Sequence, residues 1–335
     1  MSQQYYGGQA IIEGVLMRGA STFAVAVRTA SGEIRLHHEP LKAWIYTSRL
    51  GKLPFVRGLG LLWEALGLGV RAIMWSADIA AQDLPLDDDD ADPDGEAEDR
   101  ETLRFQGPLA WGTVALSFAF GIGLFFLLPT LVSGWVAEFF GASAYTDAAI
   151  EGAVRLVLFA LYFFAISFMK DIRRMFGFHG AEHKAINAFE AGSNLSVSDV
   201  QRHSVQHVRC GTSFILFVVV ISIILFFPLS FHGVEPAWLA LLLRFASRLL
   251  LLPIVAGIAY ELIRFSARHQ ENTLLRVFIQ PGLWLQKATT RTPDDEMVRT
   301  AVAALIPVLE SDGVEVDPAT RALLADRVVL SSMTS

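Results

Sequence analysis

Four of the eight histidines lie between His179 and His207, and their spacing is that of metal ligands. His179-Gly180-Ala181-Glu182-His183 is an H-x-x-E-H string, inside a stretch that predicts a helix over 178–190 stopped by Gly192. Residues four apart share a helical face, so His179 and His183 offer two imidazoles to one ion, with Glu182 beside them. In such an arrangement the ion polarises a bound water and the carboxylate takes its proton. A second pair follows. Ser196-Val197-Ser198-Asp199 reads as a capping box. On the helix it would open, His203 and His207 are again four apart, with Cys210 three residues beyond. Imidazole and thiolate suit zinc, and a mixed set with a carboxylate suits iron as well.

Each candidate has a plainer reading. Histidines beside a membrane can meet lipid headgroups, and Cys210 alone reads equally well as a small buried residue. Glu261, in Tyr260-Glu261-Leu262-Ile263-Arg264, is the candidate carboxylate ligand. Its alternative is an ion pair with Arg264 or Arg268. Glu190 lies two turns beyond His183 and is a weaker candidate. His269 follows the last apolar segment and could approach the site. His37, His38 and His232 read as structural.

The elements that must hold these residues are set by composition. The chain is 53% hydrophobic and 18% charged, with a mean hydropathy of +0.43, whereas soluble domains are about 25% charged. The apolar residues are gathered into four long segments, at 109–137, 149–169, 212–231 and 238–263. Each meets or exceeds the roughly 20 residues that a helix needs to cross the hydrocarbon. Backbone cannot be left unpaired there, so these segments must be helices. The fold class is therefore membrane, mainly α. Arg244 and Arg248 interrupt the fourth segment a turn apart, and at that depth they require partners or a polar interior.

Charge asymmetry orients the spans. The loop after the second segment carries Lys170, Arg173, Arg174, Lys184, Arg202 and Arg209, and Arg264 and Arg268 follow the fourth. The loops at 140–148 and 232–237 carry neither Lys nor Arg. The positive-inside rule then places both termini and the His-rich loop 170–211 in the cytoplasm.

Outside the transmembrane domain at 105–270 the chain divides into three parts. Residues 1–82 read as a small α/β region, with a hairpin of 22–29 and 34–38 around the Ala30–Glu33 turn. An amphipathic helix follows over 58–82, lying on the membrane surface or packing on the bundle. Residues 83–104 read as a disordered acidic linker. Eleven acidic residues and one basic one lie between Asp83 and Glu101, so without them the formal charge of −7 becomes +3. Residues 271–335 read as a helical tail, with one helix opening at Thr292-Pro293-Asp294-Asp295 and running to about Glu310. A second follows Asp317-Pro318. The single cysteine excludes an internal disulfide. No basic stripe with interleaved aromatics supports nucleic-acid binding, and the first fifteen residues lack the plan of a signal peptide.

Several strings resemble a known family. Gly7-Gly8-Gln9-Ala10-Ile11-Ile12-Glu13-Gly14-Val15-Leu16-Met17-Arg18-Gly19 is similar to the opening signature of the YqhQ-like bacterial membrane proteins. The resemblance continues through 54–58, 179–187, 203–214, 260–264 and 281–295. That family has no established function and is described as predicted metal-dependent enzymes. The resemblance implies a bacterial inner membrane and a metal site, without a substrate. It also draws in Gln9, Glu13 and Arg18, with Glu13 either near the ligands or in a structural turn with an Arg–Glu pair.

The reading that follows is a multi-pass membrane hydrolase dependent on zinc, with an inverted-zincin-like H-x-x-E-H site. His179 and His183 bind the ion, His203, His207, Cys210 or Glu261 complete the shell, and Glu182 activates water. The substrate would be a peptide, a membrane-associated protein or a lipid headgroup. One alternative is a scaffold stapled by its metal. The other is a transporter, which rests on Arg244 and Arg248 alone.

Overall fold

The computed structural model describes residues 6–41, 53, 55–82, 108–141, 143–229, 231, 234–269, 272–325 and 327–333. The acidic linker and His232 lie outside the described residues. Alternating side chains build a five-stranded sheet in chain order: β1 (Gly7–Ile11), β2 (Gly14–Arg18), β3 (Thr22–Arg28), β4 (Ile34–Pro40) and β5 (Val328–Leu330). The first four strands form an antiparallel meander, and β5 joins parallel to β4.

Period-two alternation gives this sheet two apolar faces. Ile11, Leu16, Phe23, Val25 and Val27 face Leu68, Ala72, Trp75 and Ile79 of α1 (Val56–Gln82). Val15, Met17, Ala24, Ala26, Ile34 and Leu36 face the other way, into the larger core. There they meet α5 (Lys170–Glu190) and α10 (Asp295–Ser311). The N-terminal region, the His-rich segment and the C-terminal helix thus share one three-layer α/β body.

The bundle consists of α2 (Pro108–Ile122), a π turn at Gly123–Leu127, α3 (Leu128–Phe140), α4 (Ala144–Ile166), α7 (Gly211–Phe226) and α8 (Ala237–Arg268). Among the described residues, four helices are long and apolar enough to cross a membrane: α1, the continuous rod Trp111–Phe140, α4 and α8. The expected third span at 212–231 forms only as α7, whose 16 residues rise about 24 Å. Conversely, α1 reaches spanning length and apolarity, but its second half commits its apolar stripe to the sheet. Exposed tryptophans mark both ends of the bundle. Trp135 lies near the end of α3 and Trp238 at the start of α8, on one side, and Trp111 at the start of α2, on the other, as expected for interfacial aromatic belts.

Arg244 and Arg248 are not isolated charges. Glu151 of α4 accepts from Arg155 at 2.8 Å, from Arg244 at 3.0 Å and from Arg248 at 3.0 and 3.2 Å. Asp147 meets Arg244 at 2.8 Å. The π turn leaves the Phe125 carbonyl to accept from Arg155 Nε at 3.0 Å, as such turns do when they free a backbone group. The guanidinium groups of Arg155 and Arg248 also stand 5.1 and 5.2 Å from the Phe226 ring. The gap lined by Glu151, Arg155, Arg248 and Phe226 has no room for a water molecule.

The first hairpin was not expected from the sequence, because paired glycines and a central Glu-Gly obscure its alternation. At its turn Glu13 adopts φ +52°, a conformation that side-chain-bearing residues rarely take. The Glu13 carboxylate is gripped by Arg28 at 3.0 Å and by Arg174 of α5. The structural turn holds, with these two arginines in place of Arg18, which instead meets Glu64 at 2.9 Å. Partial burial raises the Glu13 carboxyl, but the bonds from Arg174 and Arg28 outweigh it and hold it below the usual range. Its stabilising effect is therefore present at neutral pH and lost as the pH falls through its depressed range. Glu13→Gln is expected to melt below the parent at pH 7, with a gap that narrows below about pH 4. Melting curves across that range provide the check.

Candidate metal centre

Helix α5 carries the site. Phe178, Ala181, Ala185 and Ala188 repeat at helical spacing and bury against the sheet and α10. The adjoining face is left to His179, Glu182 and His183. The chain then stops at Gly192, with φ +69°, and returns through a one-turn helix, α6 (Val197–Val200), capped by Ser196 Oγ.

Two side chains hold the returning loop against α5. Lys184 Nζ donates to the carbonyls of Gln201 at 2.6 Å and His203 at 2.8 Å. Asn187 Nδ2 donates to those of Ser204 at 2.8 Å and Gln206 at 3.0 Å. These bonds claim carbonyls that a continuing helix would need. The expected helix bearing His203 and His207 therefore ends after one turn, with His203 at a bend and His207 in irregular chain.

The loop leads to Cys210, which caps α7 with Sγ accepting from the Thr212 amide at 3.4 Å. His179 Nε2 lies 3.1 Å from that sulfur. His179 Nδ1 faces the Thr289 carbonyl at 2.8 Å, and His183 Nδ1 faces that of Val205 at 2.5 Å. A carbonyl can only accept, so each Nδ1 bears the proton and each Nε2 offers its lone pair. His179, His183 and Cys210 each bring one donor atom to within 4.8 Å of the others. Ligands at zinc distances of 2.0–2.3 Å stand roughly 3.4 Å apart around a tetrahedron. The donor set therefore fits a zinc or iron ion with a small closure. Carbonyl-anchored imidazoles are also the usual outer support of metal-bound histidines.

Glu182 lies beside this group, 4% exposed, with Oε2 3.5 Å from His183 Nε2. The Gly8 amide of β1 donates to its carboxylate. Burial pushes the Glu182 carboxyl up from its usual range, against the opposing pull of His179, His207 and that amide. A Cβ on Gly8 would stand 2.7 Å from Glu182 Cγ and 2.7 Å from the Leu16 carbonyl oxygen. Gly8→Ala is accordingly expected to destabilise by about 1–3 kcal/mol, read as a lower melting temperature in detergent.

The remaining candidates are placed elsewhere. His203 Nε2 meets Ser193 Oγ at 3.0 Å and takes no part in the cluster. His207 is adjacent, its ring 5.7 Å from that of His183, but its Nε2 turns to Glu190 at 3.5 Å. Glu261 forms a bidentate pair with Arg57 of α1, at 2.9 and 2.5 Å, and stands outside the His179–His183–Cys210 group. The physical reason is that Gly58 packs on Tyr260 and delivers Arg57 to the end of α8. Glu190 pairs with Arg209 as well as His207. His37 is buried between Phe23 and Trp75, His38 meets Ser311, and His269 is exposed, facing its own helix at Phe265.

Sequence reasoning missed the clamps. Besides Lys184 and Asn187, Gln286 of α9 (Thr273–Thr289) is fully buried and bonds both the amide and carbonyl of His207, at 2.9 and 2.8 Å. An uncharged residue in an amphipathic helix carries no signal of this role. Lys184 and Asn187 were visible only as polar residues beside His183.

Fold and site together define a multi-pass helical membrane protein whose α/β body carries a His–His–Cys cluster at its junction with the bundle. The chain belongs to the family described as protein of unknown function (DUF1385), whose model matches residues 53–311. It is similar to the uncharacterized protein YqhQ of Bacillus subtilis (strain 168), with 32% identity over 305 residues, 91% of this chain and 92% of that protein. No solved structure matches the chain.

Proposed function

We propose that this protein is a metal-dependent hydrolase of the bacterial inner membrane, with its α/β body in the cytoplasm. His179, His183 and Cys210 hold the ion, zinc or iron, and Glu182 is the general base. The observation that carries this reading is the convergence of two carbonyl-anchored imidazoles and one thiol, whose donor atoms lie within 4.8 Å of one another. When bound, the ion supplies Lewis-acid polarisation and lowers the pKa of a coordinated water to about 7. Glu182, 4% exposed and held by the Gly8 amide, would take a proton on its carboxylate. His207 and Arg209 fix Glu190 at the edge of the site.

A scaffold stapled by its metal is the second reading. The burial of His183 at 1% and Cys210 at 5% favours it. The transport reading rested on Arg244 and Arg248, and both are committed to carboxylates.

Elemental analysis of detergent-purified protein tests the centre. The parent should carry close to one zinc or iron per chain, and His179→Ala/His183→Ala and Cys210→Ala should lose it. A metal-free parent beside folded variants would sink the proposal. Glu182→Gln should keep the metal and lose hydrolysis, followed by profiling products in membranes incubated with either protein. Equal product profiles would leave the scaffold as the better account.

A further inference from the structure

The centre lies level with the end of the bundle that adjoins the α/β body. Gly152 of α4 packs against Ile223 of α7, where an added Cβ would stand 2.8 Å from Cγ2, so the two residues share a level. From there α4 runs 14 residues to its end at Ile166, and α7 counts back 13 to Cys210. Both distances are about 20 Å along a helix. The thiol therefore sits at the level where α4 leaves the apolar region.

One face of α5 joins that level to the ligands. Ile172, Met175, Phe176 and His179 follow the i, i+3, i+4, i+7 spacing of one helical face, and all four are half-buried. This partly open, mostly apolar track starts just after the exposed Phe168 and Met169 and ends on a ligand. Cations flank it. Lys170 and Arg173 are exposed at its bilayer end. Lys287 and Arg291 are exposed on the segment whose Thr289 carbonyl anchors His179. That segment runs along α5, with the Arg291 amide donating to the Phe176 carbonyl at 2.9 Å.

An apolar track leading from the end of the bundle to the centre, with exposed cations at its start and on the segment alongside it, matches one chemistry. We propose that the centre takes a phospholipid-like amphiphile with an anionic headgroup from the facing leaflet, its acyl portion on the track and its phosphate between the cations. This substrate class rests on the metal reading above. The phosphate recognition could also admit free phosphate, and the test separates the two.

The test uses full-length protein in neutral-detergent micelles, loaded with cobalt(II), whose visible and thiolate charge-transfer bands report the ligand sphere. Short-chain phosphatidylglycerol, short-chain phosphatidylcholine and inorganic phosphate are titrated separately. Phosphatidylglycerol should perturb the bands at about tenfold lower concentration than either of the others. Lys287→Ala/Arg291→Ala should raise its half-saturation about tenfold, with the lipid-free spectrum unchanged. Equal potency of phosphatidylcholine, or of free phosphate, overturns the proposal, as does a cobalt spectrum that no lipid moves. Displacement by an acidic peptide but by no lipid assigns the site to protein substrates and also overturns it. A chain that shows no cobalt bands overturns the metal reading, and this inference with it.

Discussion

Glu151→Leu is expected to lower the melting temperature of the detergent-purified protein by on the order of 10 °C and to cut the yield of folded protein. The leucine matches the apolar surroundings, so the loss comes from what it leaves behind. Arg155, Arg244 and Arg248 would remain buried with Asp147 as the carboxylate of the network. Removing one partner of a buried ionic group costs about 3–5 kcal/mol, because the remaining charge stays desolvated. Ionisable groups at membrane depth have no water to turn to. Glu151→Gln keeps part of the hydrogen bonding and should fall between parent and leucine. Adding Arg248→Leu to Glu151→Leu removes a stranded cation and should recover part of the loss. A Glu151→Leu protein that melts with the parent would show that the network does not hold α4 and α8 together.

The same network shows what could be read from the sequence and what could not. Arg244 and Arg248 were recognisable as charges requiring partners, since two arginines a turn apart in an apolar run admit little else. Their partners were hidden. Asp147 and Glu151 sit in the first turns of α4, where acids are also expected at a helix start for dipole reasons. Nothing local distinguishes an acid facing water from one facing an arginine 97 residues away. Arg57 and Glu261 are 204 residues apart, and their pairing was equally invisible.

The site divides along the same line. Spacing along one helix is local physics, so His179 and His183 on one face of α5 were legible, as was the stop at Gly192. The helix over 203–207 failed because Lys184 and Asn187 take the loop carbonyls by tertiary contact. Cys210 entered the cluster by capping α7, a position that the onset of the apolar run marked only approximately. The first hairpin failed for a different reason. Its strand signal is weakened by Gly7, Gly8 and Gly14, and Gly8 is there because the strand must approach Glu182 closely. In this chain the residues that obscured the local pattern are residues that build the site.

Gly180→Ala provides the sharpest test of how the centre is supported. An alanine Cβ there would fall 2.1 Å from the Arg291 carbonyl oxygen. The obstacle is backbone, so no side-chain rotation relieves it. Either α5 or the segment at 289–291 must move by about 1 Å to restore ordinary contact. That segment carries the Thr289 carbonyl, 2.8 Å from His179 Nδ1, which keeps the opposite nitrogen available to an ion. Loss of such an outer contact typically lowers metal affinity by about 10- to 100-fold. Gly177→Ala, one turn earlier in the same helix, is the matched control. Its Cβ would meet Met297 Sδ at 2.7 Å, the end of a flexible side chain that can turn aside. Both substitutions gain about 1 kcal/mol of helix propensity, so propensity cannot separate them. Competition against a chelator should therefore show weakened metal retention in Gly180→Ala and near-parental retention in Gly177→Ala. Equal retention in the two would mean that His179 is oriented by its own helix, without help from Thr289. Equal loss would assign the effect to the rigidity of α5 as a whole.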